Sequence, residues 1–97
     1  MVYNVVWSSE FLEELDYIYS YIFFNLKEPI TAQNSLNTII SKISSLSFFP
    51  ERYPKINNSK YFNIRKLRIN NFICIYQVDN FTKQVYVLHI FHRSPKL

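Results

Sequence analysis

Residues 72–78, FICIYQV, are apolar on both faces of an extended chain, and no other run constrains the fold so tightly. A strand apolar on both faces belongs at the centre of a sheet. Asn70-Asn71 stands immediately before it. Asparagine tolerates positive φ, so this pair suits a two-residue hairpin joining the central strand to one over Phe62–Ile69. The chain contains no glycine, so asparagine is expected wherever the backbone needs a left-handed residue. Asp79–Lys83 forms a second turn into a strand over Gln84–Phe91.

The first half reads differently. Tyr3–Trp7 is rich in β-branched and aromatic residues and predicts a strand. Ser8 or Ser9 can cap a following helix, and Glu10, Glu13 and Glu14 complement the dipole at its start. Leu12, Leu15, Ile18 and Ile22 recur at helical spacing within a belt of Tyr and Phe, and the pattern stops near Asn25. Glu28-Pro29 opens a second helix, with Leu36, Ile39, Ile43 and Leu46 as its buried stripe. Two prolines in FFPERYP then enforce a stiff connector, with Phe48 and Phe49 as expected core anchors. The order β-α-α-β-β-β predicts one α+β domain over residues 1–97. An antiparallel sheet carries a helical hairpin packed on one face and leaves the other face open.

Charge is divided unevenly. Residues 1–50 carry two cations and five acids (2 − 5 = −3), and residues 51–97 carry nine and two (9 − 2 = +7), which together give +4. A basic working face in the second half follows. Cys74 is the one cysteine, which excludes a disulfide framework and points to packing in a reducing compartment. No signal peptide and no apolar stretch of roughly 18 residues is visible, so a cytoplasmic protein without membrane contact is expected. No metal-ligand spacing occurs, a glycine-rich phosphate loop is impossible, and no cofactor is expected.

Arg65, Lys66 and Arg68 supply most of the local positive charge. Strand alternation sends Lys66 and Arg68 to one side and Arg65, Leu67 and Ile69 to the other. With Lys60 they could hold an anion, arginine doing so bidentately. His92 and Arg93 end the last strand. An imidazole beside Arg68 would join an acid/base to a cation, the minimum for cleaving a phosphodiester. His89 is read as packed within its strand, and Tyr53 and Tyr61 as the rings most available for stacking on bases.

The ordered set of these segments resembles the RelE/ParE superfamily of toxins from type II toxin–antitoxin pairs. The resemblance rests on the opening strand into WSSEFLEELDYIYSYI, on LSFFPERYP, on IRKLRINNFICIYQVD and on the closing VYVLHIFHR, and covers nearly the whole chain. It implies a toxin neutralised by a cognate antitoxin, with operator DNA bound only through that complex. RelE-like members cut mRNA on the ribosome without metal, which would assign catalysis to Arg65, Arg68 and His92, with Lys60, Lys66 and Arg93 contacting the target. ParE-like members poison DNA gyrase. RelE-like nucleases commonly carry arginine directly after the aromatic that opens the central strand. Here that residue is Ile73. The long helical hairpin and FPERYP resemble the ParE side, so action on gyrase is the first expectation, mRNA cleavage the second. A degenerate member that only binds antitoxin or operator DNA is the third.

Overall fold

The computed structural model describes residues 2–57 and 59–93. The chain runs through strand β1 (Asn4–Trp7), helix α1 (Ser9–Ser20), helix α2 (Pro29–Ser44), and strands β2 (Ile64–Ile69), β3 (Phe72–Asp79) and β4 (Gln84–His92). The sheet order is β1-β4-β3-β2, which puts the apolar run of β3 in the interior as its composition requires. Ser8 caps α1, its hydroxyl oxygen accepting from the Phe11 N–H at 3.0 Å and its O–H donating to the Leu88 carbonyl. Pro29 opens α2 at a position where its missing N–H costs nothing.

One strand pairing differs from the expected antiparallel sheet. β2–β3 and β3–β4 are antiparallel, but β1 lies parallel to β4, with Asn4 beside Gln84 and Trp7 beside Val87. The cause is parity. The helical hairpin carries the chain away from the end of β1 and back to its start, where the Tyr3 N–H meets the Ser47 carbonyl. β2 therefore runs in the direction of β1, and the two hairpin turns return β4 to that direction.

The core lies between the helices and one face of the sheet. Phe11, Leu15, Ile39, Ile43 and Leu46 meet Leu67, Ile69, Cys74, Tyr76, Val78, Val85, Val87 and Ile90. Phe11 takes the place expected of Leu12, which is 50% exposed. The stripe Phe11, Leu15, Ile18, Ile22 keeps helical spacing one residue earlier. The molecule measures 44 × 31 × 21 Å, and its least dimension is that of one helix layer on one sheet. The second sheet face is accordingly uncovered. Cys74 is buried among these residues, and burial pushes its thiol up to about 12. It is a packing residue without thiolate character at neutral pH.

The connector is anchored otherwise than expected. Phe48 and Phe49 are exposed, and the buried residues are Leu46 and Pro50. The Tyr76 hydroxyl donates to the Pro50 carbonyl at 2.6 Å. Phe49 adopts φ 47°, in the left-handed region, and is 80% exposed.

With no glycine available, five described residues take positive φ: Lys27, Phe49, Asn63, Asn70 and Lys83. Asparagine covers only two of them. Lys27 ends the first helical segment, after a widened π-helical turn over Tyr21–Asn25 in which the Leu26 N–H reaches the Tyr21 carbonyl. Left-handed geometry costs a residue with a Cβ about 1–2 kcal/mol. Lys27→Gly is therefore expected to raise stability by about 0.5–1 kcal/mol after the entropy of the unfolded glycine is deducted. Chemical denaturation of the two proteins would measure it. Among the described residues no helix is long and apolar enough to cross a membrane, and no group of three His, Cys, Asp or Glu could hold a metal.

Candidate functional site

Strand register sorts the basic residues of β2 onto opposite sides of the sheet. Leu67 and Ile69 are buried under the helices, whereas Lys66 and Arg68 are exposed on the uncovered face. Across that face Lys66 lies beside Ile75 and then His89, and Arg68 lies beside Ile73 and then Phe91. These two rows form a cationic edge against an apolar floor. Among the described residues no carboxylate pairs with Lys66 or Arg68.

Arg65 points the other way and is committed to structure. Its guanidinium donates to the Asn63 side-chain oxygen at 3.0 Å and to the carbonyls of Glu51 at 2.9 Å and Tyr53 at 2.7 Å. A longer contact of 3.7 Å reaches the Glu51 carboxylate. Asn63 is buried and donates to that carboxylate at 2.7 Å and to the Val78 carbonyl at 3.0 Å. Asn80 supplies another bond to it at 2.9 Å. Arg65 is thus the clasp that ties the proline-rich connector to the sheet: its Nε and Nη1 are spent on these oxygens, and its Nη2 lies against the Glu51 carboxylate.

These bonds hold the Glu51 carboxyl below its ordinary 4.5, the Asn63 hydrogen bond first and that of Asn80 next, with Arg65 adding a smaller Coulombic pull. A carboxyl depressed in the folded state binds protons more readily when unfolded. Its stabilising contribution is complete above about pH 4.5 and is lost as pH falls through the lower folded value. Glu51→Gln is expected to flatten the fall in melting temperature between pH 5 and about pH 3, as measured by circular dichroism at stepped pH.

His92 and Arg68 are not brought together. His92 registers opposite Phe72 on the helix side of the sheet and meets that ring edge-on at 5.4 Å. It lines an open cleft of about 530 Å³ between the hairpin tip and the top of the sheet, with Tyr17, Tyr21, Leu26 and Phe72. Arg68 projects from the other face. The expected catalytic trio therefore occupies three separate surroundings: a clasp, an open face and a cleft.

The other candidates are dispersed too. Arg93 is exposed, its backbone N–H donating to Asn71 beside the β2–β3 turn. The Lys60 ammonium lies 5.9 Å from the Tyr61 ring, which is exposed. Tyr53 is occupied, packed against the core with Arg52 at 4.7 Å over its ring.

His89 departs from its sequence reading. A β-bulge at Ile75/Tyr76 inserts Leu88 into the β4 ladder. Where β1 ends at Trp7, Glu14 of α1 takes over that edge of β4, accepting from the Ile90 N–H at 2.9 Å and pairing with the His89 Nδ1 at 3.1 Å. His89 is exposed rather than packed. Nothing in strand alternation announces a bulge, so periodicity alone misplaces this residue. The hairpin-tip cleft was hidden for a similar reason: its rings come from segments some fifty residues apart in sequence.

A family model described as the ParE toxin of the type II toxin–antitoxin system parDE matches residues 5–96. No curated protein matches the sequence. Several solved structures share the fold, three of them as follows. A chromosomal ParDE toxin–antitoxin system from P. aeruginosa aligns with TM-score 0.77 at 19% identity, over 96% of this chain and 98% of that one. The RelBE2 toxin–antitoxin complex of Mycobacterium tuberculosis gives 0.71 at 19%, over 98% and 95%. The archaeal RelE–RelB complex of Pyrococcus horikoshii gives 0.70 at 16%, over 99% and 100%.

Proposed function

The chain belongs to the ParE toxin family of type II toxin–antitoxin systems, and from that premise we propose that it arrests growth by binding DNA gyrase and does not cut RNA. The observation that carries this reading is the separation of Arg68 from His92 by the sheet. General acid/base cleavage needs the proton donor and the charge-stabilising cation around one phosphate. Arg65 cannot complete the pair while its donors hold the connector. Ile73 sits beside Arg68 where a second cation would be needed. Lys66 and Arg68, with Lys60 and Arg93 nearer the ends of β2, remain suited to binding an acidic surface of a protein target. Neutralisation by a cognate antitoxin completes the reading.

Cleavage of mRNA on the ribosome is the second reading. It is favoured by the row Lys66–Ile75–His89, which puts an imidazole on the face that carries Arg68. Mapping RNA 5′ ends genome-wide soon after induction without antitoxin separates the two. Growth arrest with unchanged ends, together with inhibition of supercoiling by purified gyrase, is the expected result. New ends in phase with codons would overturn the gyrase proposal.

A further inference from the structure

We propose that the tip of the helical hairpin is the surface through which two copies of this chain pair about a two-fold axis. Pairing there is independent of whether gyrase or the ribosome is the target.

Helix α1 and the turn after it face one stripe, Phe11, Leu15, Ile18 and Ile22, toward the protein. A second apolar set stays outside. Tyr17, Tyr21, Phe24, Leu26 and Ile30 are between 44% and 77% exposed. Tyr17 stacks on Tyr21 with ring centroids 6.3 Å apart, and both line the hairpin-tip cleft with Leu26. Phe24 lies in the π-helical turn over Tyr21–Asn25. Such turns are rare and concentrate at functional sites. Exposed apolar residues scattered singly need no partner, whereas a contiguous patch above a few hundred Å² marks an interaction site. With about 150–250 Å² for a whole aromatic side chain, these five residues present roughly 500 Å² per copy. A two-fold doubles that to about 1,000 Å² before any polar rim is counted, which reaches the threshold for a specific interface.

Charge selects the occupant. Residues 17–41 hold one cation and one acid, the adjacent Lys27 and Glu28. Both are exposed, and neither forms an ion pair among the described residues. An anionic lipid surface or an acidic chain calls for a surplus of cations, and a basic partner calls for acids. The tip offers neither surplus. A second copy needs none, because a two-fold interface is isologous and sets Lys27 of each copy toward Glu28 of the other. The net charge of +4 on each chain does not oppose this contact at close range. Lys66 and Arg68 stand on the uncovered sheet face, which shares no residue with the patch. The cleft completes the fit: its volume of about 530 Å³, walled on the sheet side by Phe72 and His92, receives the Phe24 ring of the other copy.

Sedimentation velocity on the purified full chain, from about 1 to 100 µM, brackets a micromolar dissociation constant. The expected species is a dimer of twice the 11.8 kDa chain mass. Phe24→Glu is expected to raise the dissociation constant at least about thirtyfold, with an unchanged circular dichroism spectrum because Phe24 is exposed. Lys27→Glu is expected to weaken pairing about tenfold, and adding Glu28→Lys to it restores the dimer, which a folding defect would not do. Asn25→Cys locates the contact. Under mild oxidation it is expected to link two copies, whereas Phe81→Cys, in the β3–β4 turn at the other end of the strands, is not. Cys74 is buried and does not compete. A monomer at every concentration overturns the proposal, as does a dimer that Phe24→Glu leaves intact or that Phe81→Cys links equally well. A monomer that sediments with phosphatidylglycerol vesicles, and no longer does so after Phe24→Glu, also overturns it and gives the tip to a lipid surface.

Discussion

Arg65→Ala is expected to lower the unfolding free energy by about 3 kcal/mol, while Arg68→Ala, three residues along, changes it by less than about 0.5 kcal/mol. Arg65 serves three oxygen acceptors within 3.0 Å and is only 14% exposed in its side chain. Its removal strands the Asn63 oxygen and two carbonyls and leaves the Glu51 carboxylate with one cation fewer. A single hydrogen bond to a charged group contributes roughly 1.5–3 kcal/mol net, contributions within one network are not additive, and water recovers part of the loss at the exposed Glu51 carbonyl. For a domain of this size total stability is about 5–15 kcal/mol, so the loss is a large share. The melting temperature should fall by roughly 15 °C, read by circular dichroism or differential scanning fluorimetry. Arg65→Lys should recover little, because an ammonium cannot span three acceptors in the fork geometry of a guanidinium. A stable, fully folded Arg65→Ala protein would show that the clasp is dispensable and would return Arg65 to the list of functional cations.

The second large effect lies on the opposite face. Lys66→Glu with Arg68→Glu changes the local charge from +2 to −2 without touching a buried group or a recorded ion pair. Fold and melting temperature should hold to within a few degrees. Binding to an acidic target surface should weaken at least a hundredfold, since both steering and contact reverse sign. The expected readout is colony survival after induction without antitoxin, rising by two orders of magnitude or more. His89→Ala tested alongside adds a discriminating arm. Codon-phased RNA ends in the unsubstituted protein that are lost in that variant would support cleavage with His89 as the proton donor. Full arrest by Lys66→Glu/Arg68→Glu protein would sink the basic face as the working surface under either mechanism.

Arg65, Lys66 and Arg68 also mark the boundary of what could be read beforehand. Alternation predicted their sidedness correctly, because a pleated strand leaves each side chain only two directions. It could not predict that the side holding Arg65 contains Glu51, Asn63 and two carbonyls of the connector. Those partners arrive by the path of an irregular loop, which carries no periodicity. The same limit explains Phe48 and Phe49. Hydrophobicity points them inward, yet both are exposed, at a connector whose backbone turns left-handed at Phe49.

The sequence by itself determined the element order, the interior position of FICIYQV, the buried stripe of α2, the open sheet face and the concentration of charge upon it. These are consequences of local periodicity, turn chemistry and composition, each legible within some ten to fifteen residues. Only the tertiary structure decided that β1 runs parallel to β4, that a bulge in the β3–β4 ladder brings His89 out to solvent, and that Arg68 and His92 stand on opposite faces. Those outcomes depend on the direction in which the chain returns and on the register at which distant strands meet. Register is settled by the summed packing of the whole core, so no short window of sequence contains it.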